Sequence, residues 1–163
     1  MAIFNFLKTL WRNKKKTDVK KSEEFHIDDF KYKTIIEIRR QDFDLSGVLG
    51  PNIYLTYLEI ARQKYWERAI KWNFHKAAIR VGQVKIDYIL PIYPNELIYI
   101  YLKTSRIGQS SIDIDYILVK MLDNKEYICC KAQTICSVMD LNNHALIAIP
   151  PIEKNKIKEF ELL

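Results

Sequence analysis

One run of helical periodicity followed by four runs of strand periodicity fixes most of what this chain can fold into. In the segment 53–70 (IYLTYLEIARQKYWERAI), Tyr54, Leu58, Ala61, Tyr65 and Arg68/Ala69 fall on the 3.6-residue period. That spacing predicts an amphipathic helix of about 18 residues, with Asn52 as its N-cap. After His75 the period drops to two. Residues 79–89, 96–106, 111–121 and 127–140 read as four long strands in an antiparallel meander. Pro91 and Pro94, Gly108, and Asp123-Asn124 punctuate them. Before the helix, Tyr32 to Arg40 reads as a strand, and Gln41 to Asn52 gathers Asp, Ser, Gly, Pro and Asn, all turn formers. Residues 150–163 read as a short C-terminal helix or tail. No internal repeat is visible. A lone helix must bury its apolar stripe on the sheet. The class is therefore α+β, a long curved antiparallel sheet wrapped around one central helix. An immunoglobulin sandwich would lack the helix, and a ferredoxin-like fold would have two.

Length and charge narrow the function. At 163 residues there is room for one domain, which should bury roughly 70% of its unfolded surface. With 4 Gly and 5 Pro the chain is neither collagen-like nor low-complexity. No stretch reaches the roughly 20 apolar residues of a membrane span. The net charge is +6, but residues 1–24 carry +4 of it, through Lys8, Arg12, Lys14, Lys15, Lys16, Lys20 and Lys21 against Asp18, Glu23 and Glu24. The basicity belongs mainly to a tail, so a nucleic-acid partner is not expected. Residues 1–12 place apolar side chains at 3, 4, 6, 7, 10 and 11, with Asn5, Lys8, Thr9 and Arg12 opposite. Two readings stand: an interfacial membrane helix with a polybasic flank, giving peripheral membrane contact through residues 1–16, or a helix packed on the body or a partner. No small-residue cleavage site follows, which argues against a signal peptide. The division is a basic amphipathic tail and linker at 1–24, a globular domain at 25–150, and residues 151–163 beyond it.

The cysteines are Cys129, Cys130 and Cys136. Their spacing fits no metal site. Alternation would send Cys129 and Cys130 to opposite faces of a strand. They read as reduced, half-buried thiols of a cytoplasmic protein. His26, His75 and His144 read as surface or structural residues.

Four segments resemble a known family. Asp42-Phe43-Asp44-Leu45-Ser46-Gly47-Val48, then Tyr54-Leu55-x-Tyr57-Leu58-Glu59-x-Ala61-Arg62, is similar to the loop and helix of acyl-CoA thioesterases of the 4-hydroxybenzoyl-CoA thioesterase type. Those read D-x-D-x-x-G-[HI]-V and Y-L-x-Y-x-E-x-A-R. Val84-Lys85-Ile86-Asp87-Tyr88-Ile89-x-Pro91 resembles the family's V-x-Y-x-x-P strand end, and Arg106-Ile107-Gly108-Gln109-Ser110-Ser111 its R-I-G-x-S-S hairpin. The resemblance runs over about residues 30–150, with every element in order.

The resemblance implies the hotdog fold and hydrolysis of an acyl-CoA or acyl-carrier-protein thioester. Asp44 would be base or nucleophile. Gly47, Val48 and Gly50 would shape the oxyanion side of the loop, where the helix N-terminus can hold a developing negative charge. Glu59 is a second candidate carboxylate, or a helix glutamate paired with Arg62 or Lys64. Arg106, Ser110 and Ser111 would hold the phosphates of coenzyme A. Tyr54, Tyr57 and Leu58 would line the acyl pocket, though the two tyrosines also read as packing residues. A homodimer or tetramer with its site at the subunit interface is implied. No metal and no cofactor are implied beyond coenzyme A as part of the substrate. Two departures matter. Val48 stands where many members have His, and Pro51, which has no N–H, falls on the register of the family's oxyanion donor. Gly50 or Asn52 would have to supply that donor. A non-hydrolytic acyl-thioester binding or chain-tailoring protein is the alternative.

Overall fold

The computed structural model describes residues 26–163. The readings made for residues 1–24, membrane helix and linker alike, lie outside the described residues. The elements are β1 (Tyr32–Ile36), α1 (Pro51–Lys64), β2 (Ala78–Tyr88), β3 (Leu97–Ile107), β4 (Ser111–Leu122), β5 (Lys125–Met139) and α2 (Pro151–Glu161). The strands form one antiparallel sheet in the order β1-β3-β4-β5-β2. Its concave face is filled by α1, the arrangement of a hotdog fold. Among the described residues no helix is long and apolar enough to cross a membrane.

Helix α1 starts two residues before the sequence reading placed it. Gly50 is the N-cap and Pro51 the first helical residue; the fixed φ of proline suits that position and its missing N–H costs nothing there. Tyr54, Tyr57, Leu58 and Ala61 form the buried stripe. The helix then widens into a π turn over Tyr65–Ile70, which buries Tyr65, Trp66 and Ile70 together. The wider turn lets two adjacent aromatic residues face the core. Trp66 packs on Tyr65 and Trp72 with ring centroids at 5.1 and 5.5 Å. Lys71 ends the helix in the left-handed region, φ 55°.

Three expectations are corrected here. The four long strands are not one meander, because β2 pairs with β5 rather than β3. Its connection to β3 holds Pro91 and Pro94, which cannot make a tight ladder turn, and the N–H groups of Ile89 and Leu90 go to the Cys129 carbonyl (2.8 and 3.1 Å). Cys129 and Cys130 do not take opposite environments. The β4–β5 register slips between Leu118 and Val119, leaving Cys129 as the extra residue of a bulge. All three cysteines are buried, not half-buried. Finally, residues 151–161 form the short C-terminal helix that is one of the two expectations, but it packs on the body instead of lying beyond it. Ile157 of α2 is fully buried. The Glu153 carboxylate accepts from the Asn73 N–H (3.3 Å) and from Lys156 (3.0 Å), and Glu161 accepts from the Thr104 N–H (3.0 Å) and the Tyr65 hydroxyl. A helix held by a carboxylate near each end is an integral strap.

Candidate active site

The loop before α1 is held by its two aspartates in different ways. Asp42 is the anchor. Its carboxylate accepts from the Tyr57 hydroxyl (2.6 Å) and the Arg39 N–H (2.9 Å), and its carbonyl accepts from the Gly50 N–H (3.1 Å). Burial, then the Asp42 charge, raises the Tyr57 hydroxyl above its ordinary pKa, so it stays a donor. Asp44 closes the turn. Its Oδ1 accepts from the Ser46 hydroxyl, the Ser46 N–H (2.8 Å) and the Val48 N–H (3.2 Å). Its carbonyl accepts from the Gly47 N–H (2.9 Å). Gly47 has φ +76°, a conformation that a side chain would strain. The hydrogen bonds from Ser46 and Val48 stabilise the charged form and hold the Asp44 carboxyl below the usual aspartate range. These three bonds converge on Oδ1. Oδ2 takes part in none of the described hydrogen bonds, and Asp44 as a whole is exposed.

The N-terminus of α1 follows directly. Of the two substitutes for a Pro51 donor, Gly50 is already committed to the Asp42 carbonyl, and the Ile53 N–H turns back to the Gly50 carbonyl (3.0 Å). Among the described hydrogen bonds the Asn52 N–H has no acceptor, as expected for an early helical position. A Cβ on Gly50 would lie 3.0 Å from the Asn52 side-chain oxygen, so the glycine keeps this corner tight. The Tyr88 hydroxyl donates to the Pro51 carbonyl (3.0 Å), and Leu49 N–H to the Ile92 carbonyl (3.0 Å), tying the loop to the end of β2 and the segment after it.

Farther along α1 the assignments separate. Tyr54, Tyr57 and Leu58 sit on the core stripe, at most 3% exposed. They support the loop and the sheet and do not line an open surface. Past its first turn, α1 leaves Leu55, Thr56, Glu59 and Gln63 open. Glu59 is exposed, and its nearest charge is Arg62 at 4.0 Å. No hydrogen bond or ion pair links it to Asp44. Facing this side of α1, the inner face of β2 exposes Val81, Val84 and Tyr88 by 39, 39 and 47%.

The hairpin residues lie elsewhere. The Arg106 fork is already engaged, Nε to Asp113 Oδ2 (2.6 Å) and Nη2 to Asp113 Oδ1 (3.0 Å). These two bonds use two of its five N–H groups, leaving both on Nη1 and the second on Nη2 for a phosphate. Gly108 receives the turn, with its N–H on the Ser111 carbonyl (2.8 Å), and the Ser110 carbonyl accepts from Val138 (2.9 Å). Ser111 is level with Ser137 of β5, whereas Tyr88, beside the Asp44 loop, is level with Cys130. The seven residue steps from Cys130 to Ser137 make about 24 Å at 3.4 Å per residue. Loop and hairpin thus occupy opposite ends of one sheet.

Burial pushes the thiols of Cys129 and Cys130 up to about 11 and about 12, which leaves them protonated and inert at neutral pH. His26, His75 and His144 are exposed. No group of three or more His, Cys, Asp or Glu side chains among the described residues could hold a metal ion. The sequence reading missed the Asp42–Tyr57 brace and the Lys120–Glu96 ion pair behind the loop (2.8 Å). Both join residues far apart in the chain, and only the buried positions of Lys120 on β4 and Tyr57 on α1 hinted at them.

Comparison with known proteins matches residues 38–157 to the thioesterase-like superfamily. The protein YsmA of Bacillus subtilis, itself uncharacterised, is 26% identical over 89 residues, which is 54% of this chain and 60% of that one. The chain therefore spans about three-fifths of the length of this curated relative. Among solved structures, PA5185 from Pseudomonas aeruginosa superposes with a TM-score of 0.73 at 18% identity, covering 82% of this chain and 93% of the other. A Thermus thermophilus thioesterase complexed with coenzyme A and zinc gives 0.70 at 21%, covering 83% and 98%. A 1,4-dihydroxy-2-naphthoyl-CoA thioesterase from Synechocystis, Slr0204, gives 0.69 at 15%, covering 80% and 97%. At these identities the likeness is one of fold.

Proposed function

The chain belongs to the thioesterase-like superfamily, and from that premise we propose that it is an acyl-CoA thioesterase that works through Asp44. The observation that carries this reading is the asymmetry of the exposed Asp44 carboxylate: Oδ1 is fixed in the turn by three donors, while Oδ2 takes part in none of the described hydrogen bonds. Oδ2 attacks the thioester carbonyl, or takes a proton from the water that does. The coenzyme A thiolate leaves, and where Asp44 is the nucleophile a water then hydrolyses the acyl-aspartyl anhydride. The Asn52 N–H at the start of α1, helped by the helix dipole, is the donor offered to the oxyanion. A carboxylate held below its ordinary pKa stays ionised at neutral pH, which suits attack better than proton abstraction.

One chain does not hold a whole site in this reading. Its loop and hairpin are at opposite ends of the sheet, and β2 is an open edge with exposed apolar residues. An exposed edge of this kind is a liability unless paired. Antiparallel pairing of β2 with β2 of a second copy about a two-fold axis reverses one sheet against the other. The second copy's Ser110–Ser111 hairpin then comes beside the first copy's Asp44 loop, where Ser110, Ser111 and the remaining Arg106 N–H groups can take coenzyme A phosphates. Buried free cysteines suit a reducing cytoplasm. The deciding assay is a panel of acyl-CoA thioesters with detection of the released thiol. Release is expected. Binding without release would favour a non-hydrolytic acyl-thioester binder, the reading that Pro51 and the committed Gly50 N–H favour.

A further inference from the structure

Arg62 projects from the last turn of α1 toward the sheet and is 9% exposed. Among the described residues, one of its five N–H donors reaches a hydrogen-bond acceptor, the Tyr116 hydroxyl at 3.5 Å, and Glu59 lies 4.0 Å away. Both are long for charge-assisted bonds, which close to about 2.7–2.9 Å when well made. Tyr116 in turn shares a hydrogen bond with Thr134 (2.9 Å). Burial pushes Tyr116 up to about 12, so no second charge offsets the guanidinium from that side. A cation this buried and this poorly paired is costly.

Its position says what would complete it. Thr134 is level with Val84 of β2, and Cys136 with Val81; both valines are open on the inner face. Through Tyr116 and Thr134 the guanidinium is thus placed toward the open inner face of β2, an apolar strip that begins at Tyr88 beside the helix N-terminus. Two rulers give its length. From Asn52 to Arg62 is about 15 Å along α1 at 1.5 Å per residue. From Tyr88 to Val84 is about 14 Å along β2 at 3.4 Å per residue. Leu55 of α1 and Val84 and Tyr88 of β2 border it, and Arg62 stands at the far end.

We infer that Arg62 reads the far end of the acyl group, and that the substrate class is an acyl-CoA of medium chain length ending in a carboxylate. This rests on the proposed thioesterase reading, which puts the thioester carbonyl at the Asn52 end of the strip. A planar guanidinium matches a carboxylate in a bidentate fork, and an apolar strip with a cation at its end discriminates by the terminal group rather than by the chain.

The test compares dodecanoyl-CoA with the mono-CoA thioester of dodecanedioic acid, on wild type, Arg62→Met and Arg62→Lys. Calorimetry with free dodecanedioate and dodecanoate, and sedimentation of each variant, run alongside. Wild type should favour the ω-carboxyl thioester in kcat/KM by about 10- to 100-fold, the worth of a hydrogen-bonded ion pair. Arg62→Met should abolish that preference while still hydrolysing dodecanoyl-CoA, and Arg62→Lys should keep part of it. Equal turnover of both thioesters by wild type, unchanged in Arg62→Met, overturns the inference and leaves the thioesterase reading standing. Loss of the oligomer in Arg62→Met overturns it too, since the cation would then be completed by a second copy. If neither thioester is hydrolysed the thioesterase reading fails, and calorimetry decides the subsite alone: diacid binding lost in Arg62→Met supports it, and no diacid binding refutes it.

Discussion

Lys120→Met should be among the most damaging single substitutions outside the apolar core. Lys120 Nζ donates to Glu96 Oε1 (2.8 Å) and to the Pro91 carbonyl (2.9 Å), and the two side chains are only 8 and 13% exposed. Methionine fills the space but leaves a buried carboxylate and a carbonyl without their donor. Removing one partner of a buried pair costs about 3–5 kcal/mol. Glu96 keeps one bond, from the Tyr93 N–H (2.9 Å), so the lower end applies, about 3 kcal/mol. For a domain of this size that is a fall in Tm of roughly 6–12 °C. The damage reaches the site, because the Ile92 carbonyl next to Pro91 receives the Leu49 N–H (3.0 Å), and turnover should fall with stability. Thermal and urea unfolding followed by circular dichroism would measure it. The double variant Lys120→Met, Glu96→Leu should recover most of the loss, since both charges are then gone. A single-variant cost below about 1 kcal/mol, or a double variant no more stable than the single, would refute the reasoning.

Ser46→Ala removes the largest cause of the lowered Asp44 pKa. Because that bond stabilises the charged form, the wild-type carboxyl should titrate below the ordinary aspartate value of about 3.9, and the variant should titrate higher, as read by NMR of the Asp44 carboxyl. If the proposed β2-to-β2 pairing forms, Val84→Lys, on the open inner face of β2, should convert that dimer to monomer in sedimentation and abolish the expected turnover. Pro51→Ala restores an N–H beside the Asn52 donor and should raise kcat; an unchanged kcat would mean that this corner does not face the oxyanion.

What was legible in the sequence was what short-range periodicity controls. The β2 to β5 boundaries fall within two residues of their expected places, because each strand carries its own alternation and its own turn residues. Asp44 was legible as a turn-closing aspartate, since a side chain that bonds the backbone two and four residues on needs no distant partner. Long-range contacts were not legible. The pairing of β2 with β5 depends on where the Pro91–Pro94 segment crosses the sheet. The π turn at Tyr65–Ile70 depends on room for Trp66 beside Trp72. The commitment of Arg106 to Asp113 depends on the β3–β4 register, in which the two are direct partners. α1 shows the same limit: the 3.6 period located the helix, yet it could not show that Arg62, one step from Ala61, turns inward to Tyr116.

The central claim is that Asp44 performs the chemistry on an acyl thioester, and Asp44→Asn tests it most directly. Asparagine keeps an acceptor oxygen for the Ser46 and Val48 donors, so the turn should hold and the melting temperature should stay near wild type. The open oxygen, however, loses its charge. On the acyl-CoA that wild type hydrolyses best, kcat should fall by about two to four orders of magnitude, with KM nearly unchanged. A correctly folded Asp44→Asn protein that turns over at the wild-type rate would contradict the account.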